Sequence, residues 1–295
     1  MSIIKISDGT LVASINSVGS SLVGLIDGNF HLVEPNTKEN LYPGSVLAPW
    51  PNRIRDGRYQ FRNQCFQLPI NEVSRNNALH GLVAYQPWQV DLNLENEVKF
   101  EYQLSPSTGY PGRLNLNSHF KIKEKKLTVT ITACNIGNTY APYGVSIHTY
   151  LLAGRVIKNN DLTLKIPANE YLDVDPNRLL PSGLKSVVNS EFDFQKGKVI
   201  SNLFIDHAFK YTQNSPRLIE LIDPQGEGVV MEFDSFTNWI QVHTADRDGG
   251  ENSRKTVAIE PMSCPPDAFN SKVDLIELAP GDTHSYQIKI WRKVD

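Results

Sequence analysis

Sulfur, charge of one sign and long apolar runs are all scarce in this chain, and each shortage closes off a class of protein. The three cysteines, Cys65, Cys134 and Cys264, are widely spaced. An odd number at that spacing is not a disulfide framework, and inert thiols in a reduced, cytoplasmic protein are the expectation. None forms a Cys-x-x-Cys pair, and the seven histidines show neither His-x-His nor His-Glu-x-x-His spacing. No metal is therefore expected. A nucleotide cofactor is not expected either, because no glycine-rich strand-to-helix turn occurs. The formal net charge of −3 points to neither nucleic acid nor an anionic membrane as a partner. The most basic stretch, Lys121 to Lys126, is interrupted by a glutamate and reads as a hairpin tip. No run approaches the roughly 18 apolar residues of a membrane span, and Met1-Ser2-Ile3-Ile4-Lys5 does not read as a signal peptide.

Alternation of apolar and polar residues is what the chain has instead. Val98, Phe100, Tyr102 and Leu104 alternate with Lys99, Glu101 and Gln103. Leu127, Val129, Ile131 and Ala133 alternate with threonines, and Tyr286, Ile288 and Ile290 with Gln287 and Lys289. Such period-two runs are half-buried strands. Arg58 to Phe61 and Cys65 to Leu68 read as a hairpin across Arg62-Asn63-Gln64. Further strands are expected over 11–16, 88–94, 114–121, 228–233, 239–243 and 256–260. Helical periodicity is missing from every long window. The fold class is therefore all-β, a large antiparallel β-sandwich or barrel, with 1–295 as one domain. Two stretches, 34–51 and 173–197, read as long loops of the kind that rim a binding cleft.

Five short motifs stand in a fixed order along this frame. Pro51-Asn52-Arg53-Ile54 precedes Gly57-Arg58-Tyr59, and Leu79-His80-Gly81 and His148-Thr149-Tyr150 follow. Asp206-His207-Ala208-Phe209 and Glu260-Pro261, with Pro266-Asp267-Ala268-Phe269-Asn270, complete the set. Read by pattern alone, each has an ordinary explanation. Glu260 closes an apolar run before a proline, so it is placed where a strand leaves the sheet. His148 sits in a strand-like run, where a histidine is usually a hydrogen-bonded core residue. His80 is a turn residue, and Arg53 is a surface charge. Only a fold that converges them makes them a site.

In order and spacing, from about Leu11 to Trp291, these motifs resemble the aldose 1-epimerase (galactose mutarotase) family. The Tyr110-Pro111-Gly112 and Leu278-to-Asp282 turns belong to the same resemblance. The family's fold is a large antiparallel β-sandwich, and its reaction exchanges the α and β anomers of a sugar without metal or cofactor. The resemblance implies Glu260 as general base and His148 as general acid. It implies Arg53, His80 and Asp206 as substrate-binding residues. His207, next to Asp206, points to the opposite side if that segment is extended. Trp50, Trp239 and Tyr150 are candidates for an aromatic platform under the apolar face of a sugar, though each reads first as core packing. Two departures stand out: Leu151-Leu152 where relatives often have an aromatic and an asparagine, and Ala84 where phosphosugar relatives tend to have arginine.

The implied activity is acid/base-catalysed ring opening and reclosure of a free aldose such as galactose or glucose. The acid must be protonated near neutral pH, which suits a histidine beside carboxylates. The nearest alternatives are a hexose-6-phosphate epimerase using Arg55, Arg58 or Arg75, and a non-catalytic sugar-binding protein on the same fold. A two-carboxylate glycosidase built on Glu260 and Asp206 is a further reading.

Overall fold

The computed structural model describes residues 2–34, 41–107, 109–154, 158–246 and 253–294. Two antiparallel sheets make up most of it. The larger has twelve strands, with the order Ile3–Asp8, Leu11–Asn16, Ser21–Asp27, Phe30–Val33, Thr149–Leu151, Val257–Met262, Trp239–His243, Asp206–Lys210, Glu170–Val174 and Pro181–Ser186. Ser146–Ile147 and Val46–Leu47 pair beside its middle. The second sheet has nine strands, centred on Leu114–Lys123, Lys126–Asn135 and Thr283–Lys293.

One apolar cluster joins the inner faces of both sheets. Leu11, Ala13 and Ile15 meet it from the first, and Leu116, Phe120, Val129, Ile131 and Ile288 from the second. These are alternate residues of their strands, as period two requires. The protein is thus an all-β sandwich, as the alternation predicts. The basic hairpin tip closes with Glu124 and Lys125 both at positive φ, between the paired Lys123 and Lys126. Arg62 and Asn63 close the next hairpin in the same way, so its second strand is Gln64–Gln67 and begins one residue earlier than expected. Two-residue turns of this hand suit the twist of the flanking strands.

Three expectations need correction. The stretch 173–197 is not one continuous loop, since a strand interrupts it. Glu170–Val174 pairs with Pro181–Ser186, an edge strand whose residues are mostly exposed. Without a buried face it carries no alternation to read. Residues 35–40 of the other expected loop lie outside the described residues, and Val46–Leu47 within it is a strand paired to Ser146–Ile147. Glu260 is also not at a strand end, since Val257–Met262 runs through Pro261. Proline has no N–H to give a ladder, and its carbonyl is taken by the Ser146 and Tyr286 hydroxyls at 2.7 and 2.9 Å.

Candidate active site

The register of four strands in the twelve-stranded sheet builds the floor of a cleft. Glu260 lies opposite Gln241, which lies opposite Ala208; Ala258 lies opposite His243, which lies opposite Asp206. On the other side of the same strand, Thr149 pairs with Ile259 and Tyr150 with Ala258, which puts His148 level with Glu260. Glu260, Gln241, His243, Asp206, His148 and Tyr150 therefore share one face. Their chain neighbours Ile259, Ile240, Val242 and Ile147 point the other way, into the core. His207 does too, against Phe192 and Tyr171 with ring centroids at 4.4 and 5.8 Å.

Turns and loops supply the walls and roof. A two-stranded ribbon, Arg53–Arg55 with Asn77–Leu79, holds Arg53 and leads into His80. Asn52 clamps that histidine: its carbonyl accepts from the His80 N–H at 3.0 Å, and its own N–H donates to His80 Nδ1 at 3.2 Å. Both residues sit at positive φ, where an unclamped side chain would be strained. Gly81 follows because a Cβ there would meet the Ala48 carbonyl oxygen at 2.1 Å. The Pro266-to-Asn270 motif acts on the ribbon rather than in the cleft. The Asp267 N–H donates to the Arg53 carbonyl at 2.7 Å, and its Oδ1 accepts from the Arg55 N–H at 3.0 Å. The turn between Glu170–Val174 and Pro181–Ser186 contributes Leu179, and Arg178 beside it anchors the turn to Asp56 and the Asn76 carbonyl.

These elements enclose about 270 Å³, at the small end of ligand sites, which run from about 300 Å³ upward. The structure brings all five residues singled out from the sequence, Arg53, His80, His148, Asp206 and Glu260, into its lining. At the floor, His148 Nε2 lies 3.2 Å from Glu260 Oε1, both side chains almost wholly buried. His80 and His148 rings meet edge to face at 5.2 Å. Arg53 lies with Nη2 3.7 Å from Asp206 Oδ2, and Asp206 Oδ1 accepts from Gln241 Nε2 at 2.6 Å.

Burial dominates the electrostatics. It pushes His148 down to about 3, helped by the neighbouring His243 and opposed by Asp206. It pushes Glu260 well above the usual carboxylate range, helped by Asp206 and opposed by Arg53. His80 is held well below the ordinary histidine value by burial, then His148 and Arg53. For Arg53 burial alone would lower the guanidinium, but Asp206, Glu72 and Glu260 together raise it. The expectation that carboxylates keep His148 protonated is therefore corrected. Asp206 acts in that direction, and desolvation outweighs it.

Other expectations shift as well. Of the three aromatics, only Tyr150 lines the cleft. Trp50 packs edge-on against Phe269, and Trp239 is buried with Ala208 and Met262, its Nε1 donating to Asp274. Tyr42, absent from the sequence reading, lies over His80 at 4.7 Å and His148 at 6.2 Å. Gln241, His243 and Glu72 were missed too; the period-two placement of Gln241 and His243 beside Asp206 becomes visible only once the strands are paired. Leu151 faces the core, and Ala84 is buried away from the cleft against Gly19. Neither departure touches the lining. Among the phosphate-binding arginines considered, Arg58 is exposed on its hairpin, Arg55 pairs with Asp267 at 3.6 Å, and Arg75 alone lines the cleft.

Donor atoms of His80, His148 and Glu260 lie within 4.8 Å of one another, a count that would suit a metal and that sequence spacing did not reveal. The tautomer argues otherwise. Because His80 Nδ1 accepts from the Asn52 N–H, its proton sits on Nε2. A ligating histidine usually does the reverse, donating its far N–H to an acceptor.

A family model described as aldose 1-epimerase matches residues 2–291. The uncharacterized protein YihR of Escherichia coli K12 is 36% identical over 98% of this chain and 92% of its own length. An aldose 1-epimerase of the same organism is 28% identical over 56% of this chain and 52% of its own length. Among solved structures, an aldose epimerase homologue from C. elegans superposes with a TM-score of 0.88 at 20% identity, covering 99% of this chain and 98% of that one. Galactose 1-epimerase from Lactobacillus acidophilus gives 0.80 at 20% identity over 97% and 92%. This histidine and glutamate, 3.2 Å apart, thus line a cleft of a sandwich shared with those structures, and this chain belongs to the aldose 1-epimerase family of isomerases.

Proposed function

We propose that the protein interconverts the α and β anomers of a free aldose, with Glu260 and His148 as the proton-transferring pair. The observation that carries this reading is their 3.2 Å contact. O1 and O5 of a cyclic sugar share one carbon, so the base serving one and the acid serving the other must be neighbours.

Chemistry follows from one proton exchanged between two neighbouring groups. Burial favours that proton on Glu260; Arg53 favours the Glu260 carboxylate and Asp206 the His148 imidazolium. A shift across the contact sets up a base and an acid. Glu260 takes the O1 proton while His148 protonates O5, the C1–O5 electron pair leaves with O5, and C1=O1 forms. Rotation about C1–C2 and reclosure, with the same two groups reversed, gives the other anomer. Arg53, His80 through its Nε2–H, and Asp206 hold sugar hydroxyls, and Tyr42 and Tyr150 offer apolar ring surface. A cytoplasmic site of action belongs to the same reading, supported by three unpaired thiols.

Phosphosugar turnover is the second reading, favoured by Arg75 in the lining. Both lining arginines already pair with Glu72, which weighs toward a free sugar. Polarimetric decay of fresh α-anomers of galactose, glucose, arabinose, xylose and glucose 6-phosphate tests both. Acceleration on free sugars supports the proposal, acceleration on the phosphate alone replaces it with the second reading, and none on any sugar removes both.

A further inference from the structure

The loop before His80 buries a carboxylate that the proton-transfer chemistry does not use. Glu72 precedes a single turn of 3-10 helix, Val73–Arg75, and exchanges backbone hydrogen bonds with Asn77, so the loop closes on itself. That closure turns both Glu72 and Arg75 into the cleft lining. The Glu72 side chain is only 10% exposed. Its Oε1 accepts from Arg53 Nε and Nη2 at 3.2 and 3.1 Å and from Arg75 Nη1 at 3.3 Å. Its Oε2 accepts from Arg53 Nε at 3.0 Å and from Asn77 Nδ2 at 2.9 Å. One edge of the Arg53 guanidinium is consumed, which leaves Nη1 and the outer side of Nη2 unengaged by Glu72, with Nη2 3.7 Å from Asp206.

We propose that Glu72 is the positioning and specificity-determining residue of this cleft. It fixes the plane of Arg53 and, together with Asp206, offsets the charges of Arg53 and Arg75, so that the site accepts an uncharged sugar and rejects an anion. The physical case has two parts. A planar fork held by two donors on one carboxylate keeps a single orientation, where a free guanidinium would sample several. Two arginines on one small cleft are an anion site unless a carboxylate lies between them, and Glu72 does. The inference rests on the mutarotase reading for its kinetic consequences but not for its electrostatic one.

Glu72→Gln and Glu72→Asp separate the two parts. For Glu72→Gln, KM for the free sugar should rise about ten- to a hundredfold, the range of one lost charge-assisted hydrogen bond, with kcat within about threefold. Inorganic phosphate should now inhibit competitively and raise the melting temperature, and it should do neither to the native protein. Glu72→Asp keeps the charge and loses the reach, so KM should rise without phosphate binding. If Glu72→Gln does not fold, the aspartate variant and the phosphate insensitivity of the native protein carry the test. Glu277→Gln, which removes a surface carboxylate paired with Arg62, should acquire no phosphate response. An unchanged KM with no phosphate effect in Glu72→Gln overturns the proposal. So does a lost kcat at constant KM, which would make Glu72 a direct participant, and so does phosphate binding by the native protein. A native protein inert on every sugar would remove the mutarotase reading alone, because the phosphate melting shift is read without turnover.

Discussion

The strand Val257–Met262 has two faces, both shut off from water, and they could hardly differ more. Ile259 is 0% exposed and lies between Val242 and Thr149 in the apolar core, while Glu260, one residue on, is 2% exposed and lies among histidine, glutamine and aspartate. On the core face the neighbours are mostly apolar, and the Thr149 hydroxyl opposite Ile259 is buried without a hydrogen-bond partner. On the cleft face Glu260 Oε2, His148 Nδ1 and Gln241 Oε1 are buried with no hydrogen-bond partner. Burial therefore does not distinguish core from site here; the clustering of unsatisfied polar atoms does. An unpaired buried polar group costs about 1–3 kcal/mol, so the cleft face lowers stability where the core face raises it.

Removing the base should break the contrast most sharply. Glu260→Gln is expected to cut mutarotation by at least about a thousandfold while raising stability by about 1–3 kcal/mol, read by polarimetry and by thermal melts. The sign follows from linkage. The folded-state value of Glu260 lies above the unfolded one, so the native carboxyl loses stability as pH rises, and the advantage of glutamine should grow from pH 5 to 9. An equal melting temperature across that range would mean that the carboxylate is not desolvated.

His148→Gln comes next, with a loss in kcat of about a hundred- to a thousandfold. Its folded value near 3 lies below the ordinary 6.5, so the native histidine costs stability as pH falls through 6.5 toward 3. The variant should be less acid-labile, as an acid titration of the fold by circular dichroism would show.

The core face should answer in the opposite way. Ile240→Ala should cost about 2–5 kcal/mol and leave kcat per folded molecule within about threefold, measured by urea unfolding alongside polarimetry. A lost kcat with unchanged stability would erase the distinction between the faces. The smallest effect concerns the roof. Tyr42→Ala should raise KM about tenfold through lost ring contact, with kcat little changed.

How much of this could be read in advance follows the same division. Alternation such as Val129-Thr130-Ile131 announces a strand because one side is water-facing, and those strands were legible. The edge strand Pro181–Ser186 has no buried side and left no pattern. Motif order made Arg53, His80, His148, Asp206 and Glu260 legible as a set, and the cleft lining contains all five. Glu72, Gln241 and His243 were not legible, because what brings them in is cross-strand register and a closed loop, neither of which leaves a local signature. The displacement of His148 and Glu260 from their ordinary values was missed for a related reason. Residue type gives the charge of a neighbour, and only the packed roof gives the desolvation.

The one-residue interval between Ile259 and Glu260 also bears on how such a protein can change over time. A single insertion or deletion within Val257–Met262 would exchange the two side chains, sending a carboxylate into the sandwich and an isoleucine into the cleft. Length changes in the floor are thereby closed to descent with modification. The turns that carry Tyr42, Glu72 and Leu179 are under no such parity. New substrates can be explored by lengthening or replacing the roof over a floor that stays fixed.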